Sequence, residues 1–111
     1  GVTAAFAKNL LIRLNRELDG DFEVDTFDYH VVWNDQASRI ESYLVSRVEQ
    51  VACLRSAGCC VRLAKDESIW IESSHKYSVD TVVAMGRNAG FSLCEQWIDP
   101  ESRFALTLFE A

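Results

Sequence analysis

The sequence predicts an α+β domain, a largely antiparallel sheet of about six strands with two covering helices, in the order αββββαββ. Two observations predict this class. Apolar residues recur with helical spacing near the start of the chain and again near residue 80, whereas the stretches between and after them alternate apolar and polar residues. The predicted strands follow one another instead of alternating with helices, which excludes a doubly wound parallel sheet. One domain is therefore expected over residues 1–111.

The first helix is predicted from Thr3, a residue type that suits the N-cap position. Four large apolar side chains stand four residues apart, from Phe6 to Leu18, and so form one face of a helix. The pair Asp19-Gly20 supplies a stop signal, because glycine is favoured just past a helix end. We expect an amphipathic helix that covers the sheet.

Four strands are predicted in the middle of the chain. Residues 29–34 and the long stretch 39–54 alternate and form an antiparallel hairpin across the turn-rich sequence NDQAS. Ile40, Ser42 and Leu44 fall on one face of the second strand, and Glu41, Tyr43 and Val45 fall on the other. The turn RSAG leads into the short strand CCVRLA, and the turn KDES leads into the strand IWIE.

A second helix is predicted between Ser78, which suits the N-cap position, and Gly90 just past its end, because valines recur between them with helical spacing. The last two strands, at 91–98 and 103–109, are joined by the sequence DPES, which is typical of a type I turn. This hairpin completes the predicted order of elements.

Composition and charge exclude several classes of function. With 49% apolar and 25% charged residues, the chain has the composition of a folded globular protein. The 11 basic and 17 acidic side chains leave a net charge of −6, without a basic cluster that would bind the phosphates of a nucleic acid. No apolar run is long enough to span a membrane and no secretion signal opens the chain, so a cytoplasmic location is expected.

The four cysteines, Cys53, Cys59, Cys60 and Cys94, form no CxxC pair, and two histidines are too few to complete a zinc site with them. Because they are neighbours, Cys59 and Cys60 point to opposite faces of a strand. They are expected to be small buried apolar side chains in a reducing compartment. The GxGxxG, P-loop and GxSxG motifs are absent, so neither a catalytic residue nor a metal site is predicted.

The most informative stretch is IWIESSHKYS, residues 69–78. As a continuous strand it places Trp70, Glu72 and Ser74 on one side. Residues two apart on a strand lie roughly 6.6 Å from each other, so Glu72 and Ser74 have the spacing to bind two polar atoms of one small ligand, such as the ring nitrogens of an imidazole. A strand that simply ends in solvent shows the same pattern, and the residues alone leave both interpretations open.

Four segments resemble one known family in order and spacing, over nearly the full length of the chain. They are GVTAAFAKNLLIRLNREL, NDQASRIESYLVSR, IESSHKYS, and AGF followed by WIDPESRFALTL. The set is similar to the C-terminal third of the S-adenosylmethionine-dependent L-histidine Nα-methyltransferases of ergothioneine biosynthesis. The last segment alone is shared in outline by many methyltransferases, whereas the ordered set of four is much more specific.

The resemblance implies roles for four residues, Glu72, Ser74, Lys76 and Ser42, and Trp70 is added from the strand pattern. Glu72 and Ser74 match the pair that holds the imidazole of the substrate histidine, in an ExSxK pattern that Lys76 completes. Ser42 matches a position that contacts the substrate in the family and is commonly apolar there. This wall of the pocket is therefore expected to be more polar here than in other family members. Lys76 and Trp70 are assigned as supporting residues.

Two departures from the family pattern limit what the resemblance implies. Ala7 stands where the family commonly has asparagine. The chain also begins after the region that, in the family, binds S-adenosylmethionine and the amino and carboxylate groups of the substrate. No cofactor is therefore expected in this chain, although S-adenosylmethionine is implied for full-length relatives. Because methyl transfer depends on aligning donor and amine, the chain alone is expected to be inactive.

The resemblance also implies a partner. In the full enzymes the last two strands complete a sheet that other parts of the protein supply, so an isolated chain would expose an apolar face that includes Phe91, Phe104 and Leu106. Such faces are covered or self-associate, and a homodimer or higher oligomer is expected. The alternative function is a stand-alone, self-associating binding or assembly module with an unknown ligand, for instance a small imidazole or amino acid.

Overall fold

The computed structural model describes all 111 residues, in two compact units, Gly1–His75 and Lys76–Ala111. The strand pairs are antiparallel, which confirms the predicted α+β class. That residues 1–111 act as one domain stays a prediction. In chain order the helices and strands are α1 (Val2–Glu17), β1 (Phe27–Asn34), β2 (Arg39–Ser46), β3 (Gln50–Leu54), β4 (Cys59–Leu63), β5 (Ser68–His75), α2 (Val79–Asn88), β6 (Ser92–Asp99) and β7 (Phe104–Glu110).

The first unit is built on a three-stranded sheet in the order β1-β2-β5. Its central strand, β2, buries Ser42, Leu44 and Ser46, which alternate along one face. The predicted alternation of this strand is therefore confirmed. A central strand is paired on both edges, so β2 holds the side chains of both neighbours in a fixed register.

The prediction of one continuous strand over 39–54 is wrong. The Ser46 hydroxyl donates to the Val48 carbonyl at 2.7 Å and accepts from Gln50 Nε2 at 2.7 Å. These side-chain bonds offer the backbone an alternative to the sheet and stabilise a turn. After the turn, β3 pairs with β4 in a separate two-stranded ribbon. The chain consequently has seven strands instead of about six.

The helix α1 packs on the face of the sheet that carries Leu44. Its buried side differs in part from the predicted one. Leu11, which was predicted alongside the apolar face, is buried together with Ala7, whereas Phe6 and Leu10 of that face are 76% and 42% exposed. The helix also begins earlier than predicted, with Gly1 instead of Thr3 at the N-cap position. The buried apolar core of the unit consists of Ala7, Leu11, Phe22, Phe27, Leu44, Ala52 and Leu63.

The β3–β4 ribbon corrects the expectation for the cysteines. Cys53 lies directly opposite Cys60 and forms a disulfide with it, with the two Cα atoms 4.0 Å apart. Cys59 and Cys94 are free thiols, and both are exposed. The neighbouring cysteines are therefore not small buried apolar side chains. Because the ribbon is a surface hairpin, one of its faces is available to solvent and carries this pair.

The second unit consists of α2 and the hairpin β6–β7. The side chain of Ser78 accepts a hydrogen bond from the Thr81 N–H at 3.1 Å, which confirms the predicted N-cap. On one face of the hairpin, Phe109 packs so closely against Gly86 that a Cβ atom at this position would overlap its ring. Neither helix of the chain is long and apolar enough to cross a membrane.

Candidate functional site

A β-bulge divides the strand that carries the predicted site. Ser42 lies opposite Glu72, whereas the next residue of β2, Tyr43, lies opposite Trp70, so that Ile71 has no residue opposite it. An extra residue in one strand shifts its alternation by one position. The side chains of Glu72 and Trp70 therefore point to opposite faces of the sheet. The prediction that Trp70 shares a face with Glu72 and Ser74 is wrong.

Three of the predicted residues do share a face. Glu72 stands opposite Ser42, and Ser74 stands opposite Ile40, two residues further along the same side of β2. Directly opposed residues of antiparallel strands have neighbouring side chains. The face is the one on which α1 packs, since it also carries the buried Leu44. Glu72, Ser74 and Ser42 are thus brought together by the sheet register.

Ser42 is almost completely buried, at 5% exposure, and its hydroxyl shares a hydrogen bond of 3.1 Å with the phenol of Tyr29. Tyr29 lies on the neighbouring strand β1, one diagonal step from Ser42 in the register. We call this hydrogen-bonded pair, which lies on the face that also carries Glu72, the polar floor. Tyr29 was absent from the set of residues predicted for the site. The alternation of Tyr29 and His30 along β1 predicts that their side chains point to opposite faces of the sheet. It does not predict that Tyr29 is the hydrogen-bond partner of Ser42.

A cleft of about 330 Å³ lies between α1 and β5, and the side chain of Glu72 forms part of its wall. The α1 side of the cleft includes an apolar surface together with the polar side chains Asn9 and Arg13. Arg13 is held by Glu17 through two hydrogen bonds of 3.1 and 3.2 Å. The residues around the cleft are Phe6, Ala7, Asn9, Leu10, Arg13, Ile71 and Glu72.

The α1 wall of the cleft was not identified from the sequence. Phe6, Asn9 and Arg13 recur at intervals of three and four, which places them on one helix face. The sequence prediction places Phe6 on the buried face of the helix and gives Asn9 and Arg13 no role. The observed core contacts use Ala7 and Leu11, which leaves the neighbouring face open to the cleft. Ala7, the position that departs from the family pattern, lies at the boundary of the two faces.

The opposite face of the sheet carries a different polar cluster around Glu41. The carboxylate accepts hydrogen bonds from the Tyr43 hydroxyl at 2.6 Å, from Arg39 Nε at 2.7 Å and from Asn34 Nδ2 at 3.0 Å. These bonds, with that from Tyr43 first, lower the pKa of Glu41 to about 2. The carboxylate stays ionised and fully engaged at neutral pH, which suits a structural role better than proton transfer.

Trp70 belongs to this second face. Its ring stacks on Tyr43 with centroids 6.4 Å apart, and the Arg39 guanidinium lies 4.6 Å from the ring centroid. A cation over an aromatic face is attracted by the partial negative charge that the ring quadrupole places on that face. Lys76, the other supporting residue that was predicted, is the first residue of the second compact unit. Trp70 is therefore not part of the face formed by Glu72, Ser74 and Ser42, and the supporting role of Lys76 stays a prediction.

The side chains of the Glu72 face can both accept and donate hydrogen bonds. A carboxylate accepts hydrogen bonds and a hydroxyl both donates and accepts, so the face suits a small ring that has one N–H and one bare nitrogen. No three His, Cys, Asp or Glu side chains of the chain lie together in a way that would hold a metal ion. The face carries no histidine or cysteine beside its hydroxyls that would activate them as nucleophiles.

Comparison with known proteins gives a consistent picture. The family described as SAM-dependent histidine-specific methyltransferases matches residues 1–111. The chain is 38% identical over 108 residues to a histidine N-alpha-methyltransferase of Mycolicibacterium smegmatis. It is 34% identical over 108 residues to a histidine N-alpha-methyltransferase of Mycobacterium tuberculosis. Each match covers 97% of this chain and 34% of the relative, so the chain spans about a third of the length of these curated relatives.

Proposed function

Because the chain belongs to the SAM-dependent histidine-specific methyltransferase family, we propose that it binds the imidazole side of a histidine substrate and does not transfer a methyl group by itself. The single observation that carries the proposal is the register that sets Glu72 opposite Ser42, beside the cleft under α1. This arrangement brings the carboxyl group of Glu72 and the hydroxyl groups of Ser42 and Ser74 to one face. A role in ergothioneine biosynthesis is proposed from the resemblance alone, and a cytoplasmic location is proposed from the expectation given above for the sequence.

In the proposed complex each group has one task. The carboxylate of Glu72 accepts the N–H of the imidazole ring, and the hydroxyl of Ser74 donates to the other ring nitrogen. A neutral imidazole offers one donor and one acceptor, so the two residues together select one orientation of the ring. Ser42, which is bonded to Tyr29, forms the polar floor. Trp70 has no role in this proposal, because it lies on the opposite face of the sheet.

The methyl donor named for the family does not fit the residues around the cleft. Their charged and amide groups are Glu72, Asn9 and Arg13, and the guanidinium of Arg13 is already bound to Glu17. An adenine ring, a ribose and a sulfonium-bearing amino acid need many more donors and acceptors than these three side chains provide. We therefore derive no methyl-transfer step from this chain. In our proposal, the residues described here supply the ring-binding half of a substrate site.

Calorimetric titration of the 111-residue chain with L-histidine tests the proposal. Holding a ring without its amino and carboxylate groups is worth only a few kcal/mol, so we expect roughly millimolar affinity. Glu72→Gln keeps the shape and removes the charge, and it should weaken binding by about tenfold. The matched control is Glu49→Gln, because Glu49 is exposed and pairs with Arg62 on the ribbon. This variant should bind as the wild type does.

Imidazole itself serves as a second ligand in the same titration. It should compete with L-histidine, because the proposed contacts involve only the ring. Equal binding by the wild type and Glu72→Gln, or no binding by either, would show that the isolated chain has no such site. Competition by glycine instead of imidazole would assign the affinity to the amino-acid backbone, and would contradict the proposal in the same way.

We propose self-association as a second function, on the strength of an exposed apolar surface in the second unit. Phe104, Leu106 and Leu108 alternate along β7 and are 63%, 58% and 51% exposed. Trp97 stands opposite Leu106 and extends the same face onto β6. Contiguous apolar patches of this kind are typical of interaction sites. The occupant in this proposal is a second copy of the chain.

Sedimentation velocity at micromolar concentration tests the second proposal. The wild type should sediment as a dimer or larger species, and Leu106→Asp should shift it to the monomer. Val51→Asp is the control, because Val51 has a similar exposure of 52% but lies in the first unit. A monomeric wild type would contradict self-association, and so would a loss of association in the Val51 variant alone.

A further inference from the structure

The disulfide between Cys53 and Cys60 lies on the outer face of the β3–β4 ribbon. Ala52 and Leu63, the buried residues of the ribbon, belong to the core. Cys53 follows Ala52, and the register sets Cys53 opposite Cys60, so alternation points both cysteines away from the core. Cys60 is exposed and Cys53 is half-buried. The sulfur of Cys60 is therefore the more accessible end of the bond.

The surroundings of Cys60 favour attack by a thiolate. Arg62 lies two residues further along β4, so its side chain projects from the same outer face. A guanidinium on this face attracts an anionic nucleophile such as a thiolate to the exposed sulfur. Arg62 is largely exposed and its ion pair with Glu49 is long, at 3.6 Å between Nη1 and Oε1, so the positive charge stays accessible.

We propose that Cys60 is a thiol–disulfide exchange site for low-molecular-weight thiols. In the first step the thiolate of a small thiol attacks Sγ of Cys60, the bond to Cys53 breaks, and Cys53 leaves as a thiolate that takes up a proton. In the second step another small thiolate attacks the outer sulfur of the mixed disulfide, and Cys60 leaves as a thiolate. The protein disulfide gains two electrons and two protons, and two small thiols become one small disulfide.

Opening this bond releases a loop that stabilises the end of α1. The backbone N–H of Arg55 donates to the Asp19 carbonyl at 3.2 Å, and that of Ser56 donates to the Leu18 carbonyl at 3.1 Å. The carbonyl groups at a helix end have no partner within the helix, so such donors stabilise it. The disulfide closes the loop that carries both donors, with a sequence separation of 7. Reduction should loosen these contacts.

Cys59 stands outside the proposed chemistry. It is a neighbour of Cys60 in sequence, but the register sets it opposite Leu54, on the other face of the ribbon. It is exposed and not bonded to another cysteine, so an attacking thiolate has no disulfide to cleave there. The proposal assigns the exchange to the outer face, where the bonded pair and Arg62 lie.

Thiol trapping with glutathione tests the exchange step. The 111-residue chain with Cys59→Ser and Cys94→Ser retains only the pair, and its sites are counted by alkylation and mass spectrometry. We expect no alkylated cysteine before treatment with reduced glutathione and two afterwards. With Cys53→Ser added, glutathione disulfide should add one glutathione to Cys60. With Cys60→Ser added instead, the half-buried Cys53 should react several-fold more slowly. A pair that stays closed in millimolar glutathione, or faster modification of Cys53, would overturn the proposal.

Hydrogen exchange tests the consequence for α1. On reduction, the amides of Arg55 and Ser56 should exchange at least about tenfold faster, while those of β2 serve as an unchanged reference. Cys53→Ser/Cys60→Ser should exchange as the reduced wild type does and should not respond to glutathione. Equal exchange in the oxidised and reduced wild type would refute the link between the bond and the helix end, and this comparison does not depend on how the variant folds.

Discussion

The first unit, Gly1–His75, contains every buried side chain of the chain, whereas each side chain in Lys76–Ala111 is exposed or half-buried. A three-stranded sheet, a ribbon and a helix enclose a core in the first case. The helix and the two-stranded hairpin of the second unit are too small to enclose a core. A hairpin alone is marginally stable, and chains below about 40 residues rarely build a sufficient core. The first unit is thus a folded scaffold with its own core, whereas the second unit has apolar side chains that remain exposed to solvent.

The difference matters for function because the proposed ligand binding belongs to the first unit, whereas the proposed self-association belongs to the second. Glu72 and Ser42 are positioned by the sheet of the first unit, whose register is set by a buried central strand. A binding site on such a rigid element keeps its geometry without a ligand. The exposed leucines of β7 have no comparable support and are suited to association. The predictions below test how far this contrast extends.

The largest expected effect comes from truncating the core of the first unit. Leu44 is fully buried at the centre of β2, so Leu44→Ala removes packed methyl groups and leaves a cavity. We expect a loss of about 3 kcal/mol in the free energy of unfolding, measured by urea denaturation. Leu106→Ala makes the same chemical change at a position that is 58% exposed in the single chain, and should cost about 0.5 kcal/mol or less at concentrations low enough for the chain to be monomeric. Equal losses under those conditions would mean that Leu106 is packed even in the monomer.

A smaller effect is expected at the one tight contact of the second unit. In Gly86→Ala the new methyl group overlaps the ring of Phe109. Overpacking of this kind costs typically about 1–3 kcal/mol, against a gain of about 1 kcal/mol from the better helix propensity of alanine. We expect a net local destabilisation of about 1 kcal/mol, seen as faster amide exchange in α2 and β7 with the first unit unchanged.

The control for this variant is Gly58→Ala. Gly58 has a φ of +66° and nothing close to the added Cβ, so the substitution costs only the backbone strain, about 1–2 kcal/mol. That cost should appear in the amides of the β3–β4 ribbon and leave α2 unaffected. If Gly86→Ala instead stabilised α2, Phe109 would have another position available, and the contact would not be what holds the second unit together.

The sequence predicts an element of the fold correctly where a single local pattern, such as alternation or an N-cap residue, determines the structure. The alternation of β2 was correct because this strand is paired on both sides and one face is buried. Ser78 was recognised as an N-cap because its side-chain bond to Thr81 depends on four consecutive residues only. The alternation of the other strands was less informative, since its phase depends on the register with a neighbour.

The β-bulge at Ile71 shows why the site was only partly predictable. Period-two counting over IWIES puts Trp70 with Glu72, and both Ile69 and Ile71 fit a buried face. Nothing in that stretch signals an extra residue, because the bulge arises from matching β5 to β2 on both sides of it. The assignment of Glu72 and Ser74 to one face survives, since both lie on the same side of the bulge. Trp70 lies on the other side of it.

The pairing of Cys53 with Cys60, in contrast, is indicated by the sequence around the turn between them. Cys53 and Cys60 stand at mirrored distances from the turn RSAG, one residue beyond Leu54 and Cys59 on either side. In an antiparallel hairpin such positions face each other. The prediction of one long strand over 39–54 hid this symmetry, because it treated Cys53 as the end of an element instead of as a member of a separate ribbon.

The smallest expected effect concerns the acid stability of the first unit. The pKa of Glu41 is lowered from 4.5 to about 2, first by the hydrogen bond from Tyr43 and then by those from Arg39 and Asn34. A carboxyl whose pKa is lower in the folded state binds protons more readily when unfolded. Its contribution is fully present above pH 4.5 and is lost as the pH falls towards about 2.

Urea midpoints measured from pH 7 to pH 2 test this interpretation. Glu41→Gln keeps the shape of the side chain, so its deficit relative to the wild type should be largest at pH 7 and should narrow between pH 4.5 and about 2. Glu17→Gln is the matched control. The pKa of Glu17 is also lowered, by its hydrogen bonds to Arg13 and Arg16. Those partners are exposed surface side chains, and such ion pairs contribute little. The Glu17 variant should follow the wild type throughout. A constant deficit in Glu41→Gln would show that its packing, and not its charge, supports the sheet.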